Sequence, residues 1–135
     1  MKWRILGIAG GIIAVIAVVF GFLLSPKLVR LENAKSGEAI YTYNDADKIS
    51  DLSTEELRII QKLFNNKIAT RDELYCGFSK DVCMVIDENM TFCFAGDRCP
   101  IVYWVEADRY FSISEKEQDE LLTLLESHGF KFPCV

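Results

Sequence analysis

The chain has 135 residues, half of them apolar, and a formal net charge of −5 at pH 7. Residues 1–35 carry five Lys or Arg and one Glu, a net charge of +4, whereas residues 36–135 carry ten Lys or Arg and nineteen Asp or Glu, a net charge of −9. The acidic part argues against nucleic acid or anionic lipid as its partner, because both require a basic footprint. Its length suffices for one small hydrophobic core.

Residues 5–24 form an uninterrupted apolar run, ILGIAGGIIAVIAVVFGFLL, without a charged residue. As a helix this run spans about 30 Å, which matches the hydrocarbon core of a bilayer. We therefore predict a transmembrane anchor over residues 1–25 that holds the chain in the membrane through residues 5–24. No small-x-small cleavage site follows directly after Leu24, so we expect an uncleaved signal-anchor rather than a removed signal peptide.

The charged residues that flank the anchor do not decide its orientation. Two basic residues and the amino terminus precede the apolar run, and Lys27, Arg30 and Lys35 follow it, so the positive-inside rule gives a tie. The five cysteines all lie in the second half of the chain, as is typical of a small domain in an oxidising compartment. We therefore expect a single-pass cell-membrane protein with its C-terminal domain extracytoplasmic.

Residues 26–50 are polar and weakly periodic, which predicts a juxtamembrane linker with one edge strand in the stretch AIYTY. Residues 51–135 are predicted to form a small α+β extracytoplasmic domain. Two S-x-x-E sequences, beginning at Ser53 and Ser114, are capping boxes that predict helices over about residues 54–65 and 115–128. Gly129 is the expected terminator of the second helix.

Alternating apolar residues between the two helices predict an antiparallel meander of three to four strands. The stretches DVCMVI and MTFCFA form a hairpin in which residues 87–89 are the loop. This register opposes Cys83 to Cys93 and places six large apolar side chains on the other face: Val82, Met84, Ile86, Met90, Phe92 and Phe94. The stretches IVYWV and RYFSI extend the sheet. The predicted fold is α+β: an N-terminal transmembrane helix, a helix, the meander and a helix.

The cysteines are candidates for disulfides. Opposed residues in antiparallel strands have Cα atoms about 4.5 to 5.5 Å apart, inside the disulfide range of roughly 4.4 to 6.8 Å, which favours a bridge between Cys83 and Cys93. Cys76, Cys99 and Cys134 compete for a second bridge. A zinc site is a minority alternative, because the spacing lacks C-x₂₋₄-C pairs, and no C-x-x-C redox motif exists. Buried free thiols are the other alternative.

Four aromatic residues form a candidate binding surface for a sugar or a partner side chain, although in alternating strands about half of them are expected in the core: Tyr103, Trp104, Tyr110 and Phe111. His128, where the second helix ends, is expected to meet the negative end of the helix dipole. The acidic turn residues match no calcium loop. We predict no catalytic residue, no metal site and no cofactor.

These observations favour a binding protein over an enzyme. The predicted function is a membrane-anchored interaction domain that binds another protein or an envelope component in an accessory, sensory or immunity-like role. The alternative from a different class is an envelope thiol-redox or metal-binding protein. The number of free thiols in the unreduced protein distinguishes the two hypotheses.

Overall fold

The computed structural model of the chain describes residues 2–44, 46–71 and 78–131, with backbone alone for residues 2–10, 79 and 80. The described residues form three helices and eight strands in an α+β arrangement. The helices are α1 (Lys2–Leu24), α2 (Thr54–Phe64) and α3 (Glu115–Ser127). The strands are β1 (Lys27–Leu28), β2 (Gly37–Tyr43), β3 (Ala46–Asp51), β4 (Ile68–Ala69), β5 (Phe78–Ile86), β6 (Met90–Ala95), β7 (Ile101–Trp104) and β8 (Arg109–Ser112).

The strands form two antiparallel sheets. The larger has six strands in the order β3-β2-β5-β6-β7-β8, and the smaller is a ribbon of β1 and β4. The order of helix, meander and helix is confirmed, and the meander between α2 and α3 has four strands, β5 to β8. The sheet as a whole is larger than predicted, because β2 and β3, which precede α2, extend it to six strands. The predicted transmembrane helix is not shown: none of the described helices has both the length and the apolarity needed to cross a membrane.

The segment that precedes α2 differs most from the predicted fold. The stretch AIYTY lies within β2, which pairs with β3 on one side and with β5 on the other, so it is an interior strand rather than an edge strand. Its core-facing positions include Gly37, which has no side chain, and Ala39, which has only a methyl group, so neither gives a strong hydrophobic signal. A Cβ atom at Gly37 would lie 2.8 Å from Cδ1 of Leu52 and 3.0 Å from Cδ1 of Ile86, so a larger residue would require these side-chain ends to move.

Both predicted capping boxes are present, which is why α2 and α3 begin where expected. Ser53 accepts a hydrogen bond from the backbone N–H of Glu56, and the Glu56 side chain accepts one from the Ser53 backbone. Ser114 and Glu117 repeat this arrangement at α3. His128 caps the end of α3, and Gly129 follows with a positive φ of 94°. Each capping box satisfies backbone N–H groups that have no intrahelical partner at the start of a helix.

The hydrophobic core lies between α2, α3 and one face of the large sheet, which we call the core face. The helices contribute Leu57, Ile60, Leu63, Phe64, Leu121, Leu124 and Leu125. The predicted hairpin contributes the six apolar residues expected of it, with Met90 only partly buried. Leu122, the neighbour of Leu121 in α3, is half-buried. The core therefore follows the alternation of the strands and the stripes of the helices.

Candidate functional site

The opposite side of the large sheet, the back face, carries a row of residues aligned across all six strands. Successive members are Cα partners in the strand pairing: Ile49, Ile40, Cys83, Cys93, Tyr103 and Tyr110. The register predicted for the β5–β6 hairpin is confirmed for the pairs Cys83–Cys93, Met84–Phe92 and Ile86–Met90. Between Phe78 and Cys83, a shift in register interrupts the regular pairing of β5 with β6. The back face is thus defined by the same register that fills the core.

Cys83 and Cys93 form a disulfide, with Cα atoms 4.2 Å apart. This distance is slightly shorter than the 4.4 Å expected as a lower limit for such bridges. Both cysteines are buried, at 3% and 1% exposure. The bridge therefore fastens two central strands of the sheet at a position that lies away from the helices.

Cys99 is also disulfide-bonded. Cys76 and Cys134 both lie outside the described residues, so the choice between them stays a prediction. Within the described ranges no group of three or more His, Cys, Asp or Glu side chains is placed to hold a metal ion.

The four aromatic residues proposed as a binding surface divide between the two faces. Tyr103 and Tyr110 stack on the back face with ring centroids 4.7 Å apart, whereas Phe111 is 3% exposed in the core. Trp104 packs against Phe92, also on the core side. The alternation of the strands therefore places Tyr103 and Tyr110 on the back face and Trp104 and Phe111 on the core face, so the four residues do not form one surface.

Phe78 joins the two tyrosines, with centroid distances of 6.0 Å to Tyr103 and 5.4 Å to Tyr110. All three side chains are half-buried. The Tyr103 hydroxyl donates to Asp108 at 3.3 Å. Burial, followed by the charge of Asp108, raises the pKa of Tyr103, so its phenol stays a neutral donor. This tyrosine cluster, Phe78, Tyr103 and Tyr110, offers flat aromatic surface together with a polar tip.

Arg109 connects the sheet to the end of α1. It is only 2% exposed, and its guanidinium donates to the backbone carbonyls of Leu23 and Ser25. It also donates to the carbonyls of Ala107 and Asp108 at 3.2 and 2.9 Å. A cation at the C-terminal end of a helix satisfies free carbonyls and opposes the negative end of the dipole. No sequence pattern predicts this contact, which joins residues 86 positions apart.

His128 links three elements near the other edge of the sheet. Its Nδ1 lies 2.7 Å from Oγ of Ser50 in β3, and its Nε2 lies 2.9 Å from Oε1 of Glu56 in α2. The other oxygen of Glu56 accepts the backbone N–H of Ser53, and this bond is the main cause of the lowered pKa of Glu56. The carboxylate thus serves the helix cap. The arrangement ties β3, α2 and α3 together, which goes beyond the dipole contact expected for His128.

The acidic turn residues use their carboxylates within the fold. Asp87 accepts backbone N–H bonds from Lys35 and Ser36 at 2.8 and 3.0 Å, which lower its pKa. Glu106 accepts from the Thr91 backbone at 2.8 Å, and Asp97 accepts from the Cys99 backbone at 3.1 Å. These bonds hold turns in place.

No protein-family model, no curated protein and no solved structure matches this chain. Its function must therefore be argued from its own residues.

Proposed function

We propose that this chain is a single-pass membrane protein whose acidic domain lies outside the cytoplasm and binds another protein or an envelope component. The role is accessory, sensory or immunity-like, and the chain is not an enzyme. The observation that carries this proposal is the surface of α1 over residues 11–24, where large apolar side chains are exposed on every side. This stretch alone is too short to span a bilayer, and the proposed span also includes the apolar sequence of residues 5–10.

Ten large apolar side chains between residues 12 and 24 of α1 are each at least 47% exposed. They are Ile12, Ile13, Val15, Ile16, Val18, Val19, Phe20, Phe22, Leu23 and Leu24. Because these positions are nearly consecutive, they surround the helix instead of forming one stripe. A helix that is apolar all round belongs in a large core or in a membrane. The small core of this chain is filled by α2 and α3, which favours the membrane.

The passage from α1 to the domain is short. Val29, five residues after the end of α1, is fully buried in the core. Arg109 binds the carbonyls at the end of the helix from the sheet side. The anchor and the domain are therefore joined without a flexible linker, so that a change in the domain is transmitted to the helix. This favours a sensory or accessory role over a tethered module that moves independently.

Two cysteine bridges favour an extracytoplasmic domain. The Cys83–Cys93 bridge and the bridge through Cys99 are typical of oxidising compartments. The tyrosine cluster is the proposed contact surface, because half-buried tyrosines supply rigid apolar area with a hydrogen-bonding tip.

The test of the anchor is extraction of membranes that contain the full chain. Alkaline carbonate should leave the protein in the membrane pellet, and an impermeant protease added to cells with an opened outer layer should degrade its domain. Release of the protein by carbonate would contradict the anchor. Protection of the domain while known outer proteins are degraded would contradict the orientation.

The test of the contact surface is site-specific photocrosslinking in cells. A photoreactive residue at Tyr110 should yield a discrete crosslinked product, and the same residue at Tyr43 should not. Tyr43 is a suitable control because it is 64% exposed and lies outside the tyrosine cluster. Equal crosslinking at both positions, or none at Tyr110, would count against this surface.

A count of free thiols separates the proposal from the thiol-redox or metal-binding alternative. In the intact, unreduced protein, alkylation followed by mass measurement should detect one free thiol, because two bridges use four of the five cysteines. Five alkylatable thiols together with a bound metal would support the alternative.

A further inference from the structure

We infer that the β1–β4 ribbon is a membrane-seating surface, which holds the domain against the headgroup region of the bilayer that α1 enters. The inference rests on the proposed membrane anchor and adds a second, peripheral contact to it. The contact is made by Leu28 in β1 and Ile68 in β4, and its occupant is the lipid interface.

Leu28 and Ile68 form an apolar pair that the rest of the domain does not cover. They are directly opposed Cα partners in the ribbon, so their side chains are neighbours on the same side. Leu28 is 41% exposed and Ile68 is 64% exposed. Ala69, the next residue in β4, is fully buried, which identifies the other side of the ribbon as the side that faces the domain.

The position of the pair next to the anchor identifies its occupant. Leu28 follows Leu24, the last residue of α1, by four positions, so its Cα lies within about 14 Å of the end of the helix. Val29 is fully buried, so this short connection cannot lengthen without removing a core residue. With α1 in the bilayer, a pair this close to the end of the helix lies within reach of the lipid headgroup region, roughly 5 to 8 Å thick on each side.

Contacts from the large sheet fix the ribbon beside the helix end. Thr70, next to β4, exchanges two backbone hydrogen bonds with Tyr110 in β8, at 2.8 and 2.7 Å. Arg109, the neighbour of Tyr110, holds the carbonyls of Leu23 and Ser25. The ribbon, β8 and the end of α1 are therefore coupled through adjacent residues, and the pair is held on the membrane side of the domain.

The charge of this region is compatible with lipid. Lys27, in the basic first part of the chain, is the Cα partner of Ala69 and therefore lies on the other side of the ribbon from Leu28, where it is exposed. Asp108, in the loop that precedes Arg109, is 3.8 Å from Arg71 and is thus partly neutralised. The seating contact is apolar, so it does not depend on an anionic bilayer.

The experiment places an environment-sensitive fluorescent amino acid at position 68 of the full chain, reconstituted in phosphatidylcholine vesicles. The same residue at position 49 is the control. Ile49 is 58% exposed and also lies in a strand, but β3 is the opposite edge of the sheet, five strand spacings or about 24 Å from β8. Lipids brominated near the headgroup quench a probe in the interface, and aqueous iodide quenches a probe in water.

We expect bromolipid to quench the probe at position 68 and iodide to leave it bright, with the reverse at position 49. Quenching by iodide alone at position 68, in protein that floats with the vesicles, overturns the seating contact and leaves the anchor intact. Protection from both quenchers indicates that a second copy of the chain covers the pair, which also overturns it. Protein that does not float with the vesicles overturns the proposed anchor together with this inference.

Discussion

The two faces of the large sheet differ in what covers and stabilises them. On the core face, Phe92 is fully buried, and its ring lies 5.3 Å from Phe64 of α2 and 6.0 Å from Phe111 of β8. On the back face, the buried residues at the centre are two bonded cysteines, beside tyrosines that are only half-buried. The core face is therefore stabilised by the packing of helices against it. The back face buries less apolar area and is stabilised in part by a disulfide bond.

The largest expected effect is from removing a core-face aromatic side chain. Phe92→Ala should lower the free energy of unfolding by about 3 to 5 kcal/mol, because it leaves a cavity among several rings. Tyr110→Ala on the back face should cost about 2 kcal/mol, since its ring is half exposed. Urea unfolding of the detergent-solubilised protein, followed by circular dichroism, measures both. Equal losses in the free energy of unfolding would contradict the proposed difference between the two faces.

The second effect concerns the bridge. Replacing Cys83 and Cys93 together by alanine should cost about 2 to 3 kcal/mol, because the bridge closes a loop with a sequence separation of 10 and limits the unfolded chain. The same unfolding measurement applies. Peptide mapping without reductant should recover the two cysteines in one linked pair. Linkage to other cysteines, or unchanged stability of the double variant, would contradict the assigned role.

The core face could be predicted because its signals are local. The S-x-x-E sequences marked the starts of α2 and α3, and the alternation around residues 87–89 fixed which residues of β5 and β6 face the helices. The same register opposed Cys83 to Cys93, so the bridge was also accessible from the sequence. These features depend on neighbours within about a dozen residues, where periodicity is informative.

The remaining features depend on distant contacts or on small side chains. The interior position of β2 was missed because Gly37 and Ala39 carry little hydrophobic signal, although both are buried. The strands β1 and β4 have two residues each, too few for a period to be recognised. Arg109 resembles an ordinary surface residue in the stretch RYFSI, and its burial depends on carbonyls at the far end of the chain.

The smallest expected effect is a pH-dependent loss of stability on the helix side of the domain. Lys67 Nζ donates to both oxygens of Glu117 at 2.8 Å, on the helix side of the domain. This contact, followed by the N–H of Ser114, lowers the pKa of Glu117 below its ordinary value of 4.5. The pKa is lower in the folded state, so the stabilisation is present above about pH 4.5 and is lost as the pH falls through the folded pKa.

Glu117→Gln keeps an oxygen that can accept the Ser114 N–H but removes the charge. We expect it to lower the free energy of unfolding by about 1 kcal/mol at pH 7, with the gap to the wild type closing in acid.

Glu120→Gln is the matched control on α3, because its ion pair with Lys62 is longer, at 3.6 Å, and involves a lysine side chain that is 74% exposed. Its effect should be near zero at both pH values. The Cys83–Cys93 bridge does not titrate, so acid should weaken the attachment of α3 while the centre of the back face stays linked. A constant gap between Glu117→Gln and the wild type across pH 3 to 7 would show that the charge of Glu117 does not stabilise the helix side.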